Sequence, residues 1–353
     1  MTRTVHAVVL GAGGYVGGEL LRLIAGHPTF RLLAAVSASQ AGNPIGHVFP
    51  SLAAAYDGTE FSAPDGWIEH LQQGDELAVF SAAPHGASAA LVATTLAAAE
   101  ARGVTVHIVD SSADFRYTTA SDYEAVYQGA HGAPKLLDQF AQGVPEHNAS
   151  CDRPHAGHPG CFATAALLAA VPLCRHGLAE PAVYISGITG STGSGRLPQP
   201  GTHHPERHSN LYAYKPLAHR HTPEISSQIA ATGGGDVTVN FVPHSGPFAR
   251  GIHITLQARA TAPMSTADLQ DLYTSFYGTA GFVRVVAGTP RLKDVVASNY
   301  CHIGVAADGD RVVVMSVIDN LVKGAAGGAM QWMNRLWSLP ESSGLTASAP
   351  LWT

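Results

Sequence analysis

Cys161 stands in the run His158-Pro159-Gly160-Cys161-Phe162-Ala163-Thr164, where a proline and a glycine force a turn directly before a helical pattern. A thiol at the first turn of a helix meets the positive end of the helix dipole and backbone N–H groups. Both favour the thiolate, and the amides can receive a developing oxyanion. The chemistry this setting supports is nucleophilic attack by sulfur. The competing reading is an inert, buried cysteine, the more frequent fate of the residue. Cys151, Cys174 and Cys301 are scattered without CxxC spacing, so neither a zinc site nor a disulfide framework is expected of them.

A thiolate that expels a leaving group works with an acid/base of near-neutral pKa, and histidine is the side chain for that task. The run His219-Arg220-His221-Thr222-Pro223-Glu224 offers two. If the segment is extended they point in opposite directions, and only one faces the sulfur. His203, His204 and His208 precede them. No HExxH and no cysteine pair accompanies these histidines, so no metal is expected, and His203, His204 and His208 read as exposed loop residues.

Three further segments carry groups for anions or a cofactor. The loop from Ser186 to Arg196 combines backbone donors with the hydroxyls of Ser191 and Ser194 and the guanidinium of Arg196, a mixture that suits a phosphate; a flexible glycine loop is the alternative. Asp110-Ser111-Ser112-Ala113-Asp114-Phe115-Arg116 follows a strand. There Arg116 is a candidate clamp for a carboxylate or phosphate, against a surface salt bridge with Asp114. Asn320, between the last strand and the last helix, is a candidate donor or acceptor to a nicotinamide carboxamide.

Gly11, Gly14 and Gly17, with Gly13 between them, form a glycine turn after a strand and before a helix. A dinucleotide pyrophosphate needs such a turn to approach amides at a helix N-terminus, although the strict GxGxxG spacing is absent and a ligand-free tight turn gives the same pattern. The second strand ends in VSASQAGN, without the acid that would accept from the ribose hydroxyl of NAD. That favours NADP, with Ser37, Ser39 and backbone amides receiving the 2′-phosphate.

The elements that must hold these residues follow from patterning. A chain of 353 residues exceeds one ordinary core, so two domains are expected. The chain is 46% hydrophobic and 13% charged with a net charge of −6, which suits a compact enzyme. No Lys/Arg cluster offers a track for nucleic acid. The N-terminal apolar run is too short for a signal peptide or a membrane span, so a soluble protein in the reducing cytoplasm is expected. Short apolar strands at VHAVVL, RLLAAVSAS, DELAVFSAAPH and VTVHIVDSS alternate with helices such as SAALVATTLAAAEARG, which implies a parallel sheet. After residue 160, a buried helix over FATAALLAAVPLCRHG is followed by longer β-branched strands and a helix N-capped by Ser265, an α+β pattern. Residues 190–224 show no periodicity, and the C-terminal SLPESSGLTASAPLWT reads as loosely ordered.

Together, GAGGYVGGEL, AAPHG, DSSADFR, GVPE, HPGCFAT, SGITGSTGSGR, HRHTPEI, FVPHSGPFARGI and DNLVKGAAGGA, in that order, cover nearly the whole chain. In them the sequence resembles the N-acetyl-gamma-glutamyl-phosphate reductases, relatives of aspartate-semialdehyde dehydrogenase. The resemblance implies an α/β fold: a Rossmann-type NADP-binding domain over 1–157, joined by a C-terminal helix over 325–353, and an α+β catalytic domain over 158–324. It implies NADPH-dependent reduction of N-acetyl-L-glutamyl 5-phosphate to the 5-semialdehyde in arginine biosynthesis, with phosphate released through a cysteine thioester. Cys161 matches the nucleophile, and His219 matches the acid/base best, with His221 the alternative. The cofactor surface extends to Tyr15, Val16, Pro84, His85, Ser191 and Gly193, and the substrate or phosphate surface takes Ser111, Arg116, Ser194 and Arg196. A homo-oligomer, dimer or tetramer, is implied. Where relatives carry a basic residue after the glycine, this chain has SASQAGNPIG. Rival readings are another acyl-phosphate reductase, for aspartyl phosphate or carrier-linked aminoadipyl phosphate, and a non-catalytic NADP-binding sensor.

Overall fold

The computed structural model describes residues 3–148 and 150–351. The chain divides into two compact units. One comprises the chain as far as Gln142, then Ser150–His158 and Ala325–Thr346; the other comprises Gly143–Ala149, Pro159–Gly324 and the C-terminal residues from Ala347.

In the first unit β1 (Val5–Leu10), α1 (Tyr15–Ala25), β2 (Phe30–Val36), the short α2 (Ile45–Val48), β3 (Glu76–Ser81), α3 (Ser88–Arg102), β4 (Thr105–Asp110), α4 (Ala120–Tyr127), β5 (Phe140–Gln142) and β6 (His155–Gly157) follow one another. The strands form one sheet in the order β2-β1-β3-β4-β6-β5, with every pairing parallel. Parallel strands are buried on both faces, which is why Val8, Leu10, Leu77, Val79 and Ile108 read as unbroken apolar runs and join one core. The order reverses at β1, and the crevice at the C-terminal ends of β1 and β3 is where such sheets receive ligands. Gly103 ends α3 in the left-handed conformation (φ 66°), as a C-terminal glycine does.

The C-terminal helix of this unit is shorter than the expected 325–353 segment, running only over Gly327–Leu336. The stretch from Glu341 to Leu345 after it is held in place. Asn334 donates from Nδ2 to the carbonyls of Glu341 and Ser343, and Leu345 is buried. Its Oδ1 lies 3.0 Å from Nε2 of His27, whose Nδ1 accepts from the Thr29 and Phe30 amides. Composition misled here because these anchors are polar contacts from one helix side chain to nearby carbonyls, which leave no periodicity.

The second unit holds α5 (Cys161–Arg175), β7 (Ala179–Thr189), α6 (His204–Arg207), β8 (Tyr212–Ala213), α7 (His221–Ile229), β9 (Thr238–Ser245), β10 (Ile252–Ser265), α8 (Thr266–Phe276), β11 (Val283–Val285) and β12 (Cys301–Ile318). Its sheet is mixed, in the order β11-β12-β10-β7-β9-β8, and α5, α7 and α8 pack on it as one layer. Ser265 caps α8 as expected, its hydroxyl accepting from Asp268 N–H in a capping box. Helix α5 is buried from Phe162 to Cys174, so only its two ends are partly open, and one of those ends is Cys161. The opposite sheet face carries exposed residues such as Tyr184, 58% exposed.

Candidate active site

The second unit contains a cleft of about 580 Å3 lined by Cys161, Phe162, Thr189, Gly193, Ser194, Gln199, Tyr212, Tyr214, Lys215, His219, Arg220, His221 and Ser245. Its lining includes two cations and no carboxylate, so the cleft is built for an anion.

Cys161 is the first residue of α5, with Gly160 as N-cap in an extended conformation (φ −61°, ψ 154°) and no side-chain cap. Gly324 approaches it so closely that a Cβ added there would lie 2.8 Å from Cys161 Cβ. The other cysteines differ. Burial pushes the thiols of Cys174 and Cys301 up to about 11 and about 12, and raises that of Cys151. Those three are held as thiols, whereas Cys161 opens on a cleft at a helix N-terminus.

The histidine pair departs from the extended geometry. Arg220 adopts a helical conformation and α7 begins at His221, so the two rings come together with centroids 4.7 Å apart instead of diverging. Both line the cleft with Cys161, and both pack on Phe162. Nδ1 of His219 accepts from the backbone N–H of His221 at 3.2 Å, which leaves the proton of the neutral ring on Nε2. Burial, then the charges of Arg220 and Lys215, push the His219 pKa down to about 4. His219 is therefore a neutral N–H donor near pH 7. Burial first, and then the neighbouring Cys161 sulfur, push the pKa of the Tyr214 phenol up, so it stays protonated.

Of the phosphate candidates, Ser194 and Gly193 line the cleft, whereas Ser191 and Arg196 do not. Ser191 N–H donates to Phe248 O, which fixes the start of that loop. Asn320 is buried beside it: Oδ1 accepts from Gly251 N–H at 2.7 Å and Nδ2 donates to Thr192 Oγ1 at 3.0 Å, so the amide braces two loops. Arg116 belongs to the first unit and is 5% exposed, donating to the carbonyls of His158 and Ser111. Ser111 N–H donates to Ser81 O.

Sequence reasoning missed Lys215, Arg220, Tyr212, Tyr214, Gln199 and Ser245. One signal was available: Lys215 and Arg220 are cations inside a segment without periodicity. The other signal is visible only in the backbone, because Lys215 and Leu217 hold positive φ (43° and 57°) around Pro216, a costly conformation for such residues.

In the first unit the glycine turn is real. Gly11 has φ 76° and an added Cβ would lie 2.6 Å from Ala82 O; at Gly17 it would lie 2.5 Å from Ala12 Cα. Gly14 caps α1 with no side-chain cap and no acid in the first turn, while Tyr15 and Val16 begin the helix. At Gly13 an added Cβ would lie 2.9 Å from Ser37 Oγ, and Ser37 Oγ lies 3.5 Å from Ser39 Oγ. An uncapped helix N-terminus after a glycine turn fits the pyrophosphate of a nicotinamide dinucleotide. Pro84 and His85 are exposed after β3, and His85 Nδ1 accepts from Ala113 N–H.

Among the described residues no helix is long and apolar enough to cross a membrane, and no group of three or more His, Cys, Asp or Glu is placed to hold a metal ion.

A model described as the semialdehyde dehydrogenase NAD binding domain matches residues 6–151, and one described as the semialdehyde dehydrogenase dimerisation domain matches 161–320. The chain is 41% identical over 344 residues to the N-acetyl-gamma-glutamyl-phosphate reductase of Methanopyrus kandleri, covering 96% of each. It is 41% identical over 350 residues to that of Pseudomonas aeruginosa, covering 97% of this chain and 98% of the relative. Among solved structures it is similar to aspartate semialdehyde dehydrogenase II of Vibrio cholerae (TM-score 0.68, 16% identity, 96% and 99% of the two chains). It is also similar to the Candida albicans aspartate semialdehyde dehydrogenase with NADP (TM-score 0.64, 15% identity, 95% and 98%). The cysteine at a helix start, the glycine turn, the two-unit fold and the full-length identity agree, and the chain belongs to the N-acetyl-gamma-glutamyl-phosphate reductase family of semialdehyde dehydrogenases.

Proposed function

We propose that this chain reduces N-acetyl-L-glutamyl 5-phosphate to N-acetyl-L-glutamate 5-semialdehyde in arginine biosynthesis, with NADPH as reductant and Cys161 as nucleophile. The observation that carries the reading is the cleft itself: a cysteine at a helix N-terminus, two imidazoles and two cations, with no carboxylate in the lining. Family membership at 41% identity over nearly the full length supports the substrate.

Cys161 thiolate attacks the acyl carbon, the C–S bond forms as the bond to phosphate oxygen breaks, and a thioester remains on the chain. Lys215, Arg220 and the loop at Gly193 and Ser194 hold the anionic groups. His219, neutral with its proton on Nε2, donates a hydrogen bond to the carbonyl oxygen as negative charge develops there. His221 is the alternative for proton handling. Bound NADPH supplies the hydride; Gly13, Gly14, Ser37 and Ser39 are the residues assigned to hold it, with Pro84 and His85 beside them. Collapse of the hemithioacetal then breaks the C–S bond and frees the aldehyde and Cys161. Ser111, Arg116 and Arg196 are assigned to the anionic groups of the substrate, and Asn320 to the cofactor.

The chain acts as a homo-oligomer in the cytoplasm. The dimerisation-domain match and the open sheet face at Tyr184 support self-association. The test is phosphate-dependent reduction of NADP+ with N-acetyl-glutamate semialdehyde, run beside aspartate semialdehyde and NAD+. The reading requires the first aldehyde with NADP+ to be preferred; preference for aspartate semialdehyde would move the chain to the rival substrate.

A further inference from the structure

Glu224 is 0% exposed, and its Oε1 accepts from the backbone N–H of Gly160 at 2.8 Å. Gly160 is the residue immediately before the nucleophile, and it has no side chain with which to cap α5. In a capping box, a glutamate three residues into the helix reaches back to the N-cap N–H. Here the carboxylate comes from another helix. Glu224 lies in the first turn of α7, the helix that begins at His221.

Two hydrogen bonds therefore join the nucleophile to the imidazole through one short element. Gly160 N–H is held by Glu224 on α7, and the first N–H of α7 holds Nδ1 of His219. One turn further along, Gln228 is also buried, and a Cβ added at Gly143 would lie 2.7 Å from its Oε1, so the same helix face packs the Gly143-Val144-Pro145-Glu146 turn. The first turn of α7 is a spacer that carries both contacts: a shift of Glu224 moves the start of α5, and with it the sulfur, relative to the His219 ring.

We propose that Glu224 is a positioning residue for this reaction. It acts through the reach of its oxygen to Gly160 N–H, which sets the separation of Cys161 from His219. The assignment rests on Cys161 being the nucleophile. A displacement of about 1 Å at a reacting pair costs on the order of 100-fold in rate, while a cleft of unchanged lining keeps its affinity.

Two conservative variants of the full chain separate reach from charge. Glu224→Gln keeps an oxygen at the same length and loses the charge. Glu224→Asp keeps the charge and withdraws the oxygen by one methylene. Steady-state kcat and KM are measured for both, with NADP(H) affinity and Tm as checks that each variant is folded, and Cys161→Ser as the control. The expected result is that Glu224→Asp lowers kcat by about 10- to 100-fold with KM within about threefold, while Glu224→Gln retains kcat within about threefold of the parent. Asp equal to or better than Gln, or wild-type kcat in both, overturns the proposal. If Cys161→Ser keeps its turnover, the nucleophile assignment fails. If it is inactive while Glu224→Asp is not impaired, only the role of Glu224 fails.

Discussion

The backbone N–H of His221 donates to Nδ1 of His219 at 3.2 Å, so the ring that lines the cleft is anchored on one nitrogen and presents its proton on the other. That bond would be lost in the imidazolium, where both nitrogens are donors. It acts in the same direction as burial and as the charges of Arg220 and Lys215, which together depress the ring's pKa to about 4.

His219 should therefore titrate near pH 4, as the Nε2–H tautomer, when followed by ring NMR signals in the cofactor-free protein. Replacing Lys215 and Arg220 by glutamine removes two of the depressing causes and should raise the midpoint. A wild-type midpoint near 6.5 would contradict the donor role assigned to this ring.

Gly324→Ala should reduce kcat by about 10- to 100-fold while KM stays within about threefold. The added methyl would sit 2.8 Å from Cys161 Cβ and 3.1 Å from its Cα, against the first turn of α5, so α5 must shift to admit it. Near-normal turnover in this variant would show that the nucleophile tolerates displacement.

Lys323 Nζ lies 2.5 Å from Glu146 Oε1, with the two side chains 0% and 1% exposed. Breaking one half of a buried pair leaves an uncompensated charge, so Lys323→Met should cost about 3–5 kcal/mol in denaturant unfolding. The double variant Lys323→Met with Glu146→Leu should recover much of that loss. A loss in the double variant equal to the sum of the two single losses would mean that the pair is not coupled.

Acid should destabilise the fold over a defined window. Burial depresses His147 and His155 to about 4, as it does His219. Between pH 6.5 and about 4 the unfolded chain takes up protons that the folded chain refuses, so stability is intact above pH 6.5 and falls as pH drops. His147→Gln should flatten that fall, measured as Tm against pH; an unchanged slope would remove His147 from the account.

The parallel sheet, the glycine turn and the cysteine at a helix start were legible because each is local. A strand followed by Gly11-Ala12-Gly13-Gly14 and a helix, or Pro159-Gly160-Cys161 before an apolar run, is written in adjacent residues. The cleft's cations were not. Lys215 and Arg220 sit in a segment whose shape depends on positive φ at Lys215 and Leu217 and on the short β8 pairing with β9, none of which produces a hydrophobic period. The histidine run was misjudged for the same reason: α7 starts at His221 because it packs on α5 and β9, not because of its own mean hydropathy. The composition of the C-terminal segment reads as loose, yet Asn334 holds its carbonyls at Glu341 and Ser343.

The most direct measurement is to mix the protein with N-acetyl-glutamyl 5-phosphate in the absence of NADPH, then follow phosphate release and the mass of the Cys161 peptide. The account predicts a burst of phosphate stoichiometric with the chain and an N-acetylglutamyl thioester on Cys161, both abolished in Cys161→Ser. A protein that releases no phosphate without reductant, or that carries the acyl group on a residue other than Cys161, would contradict it.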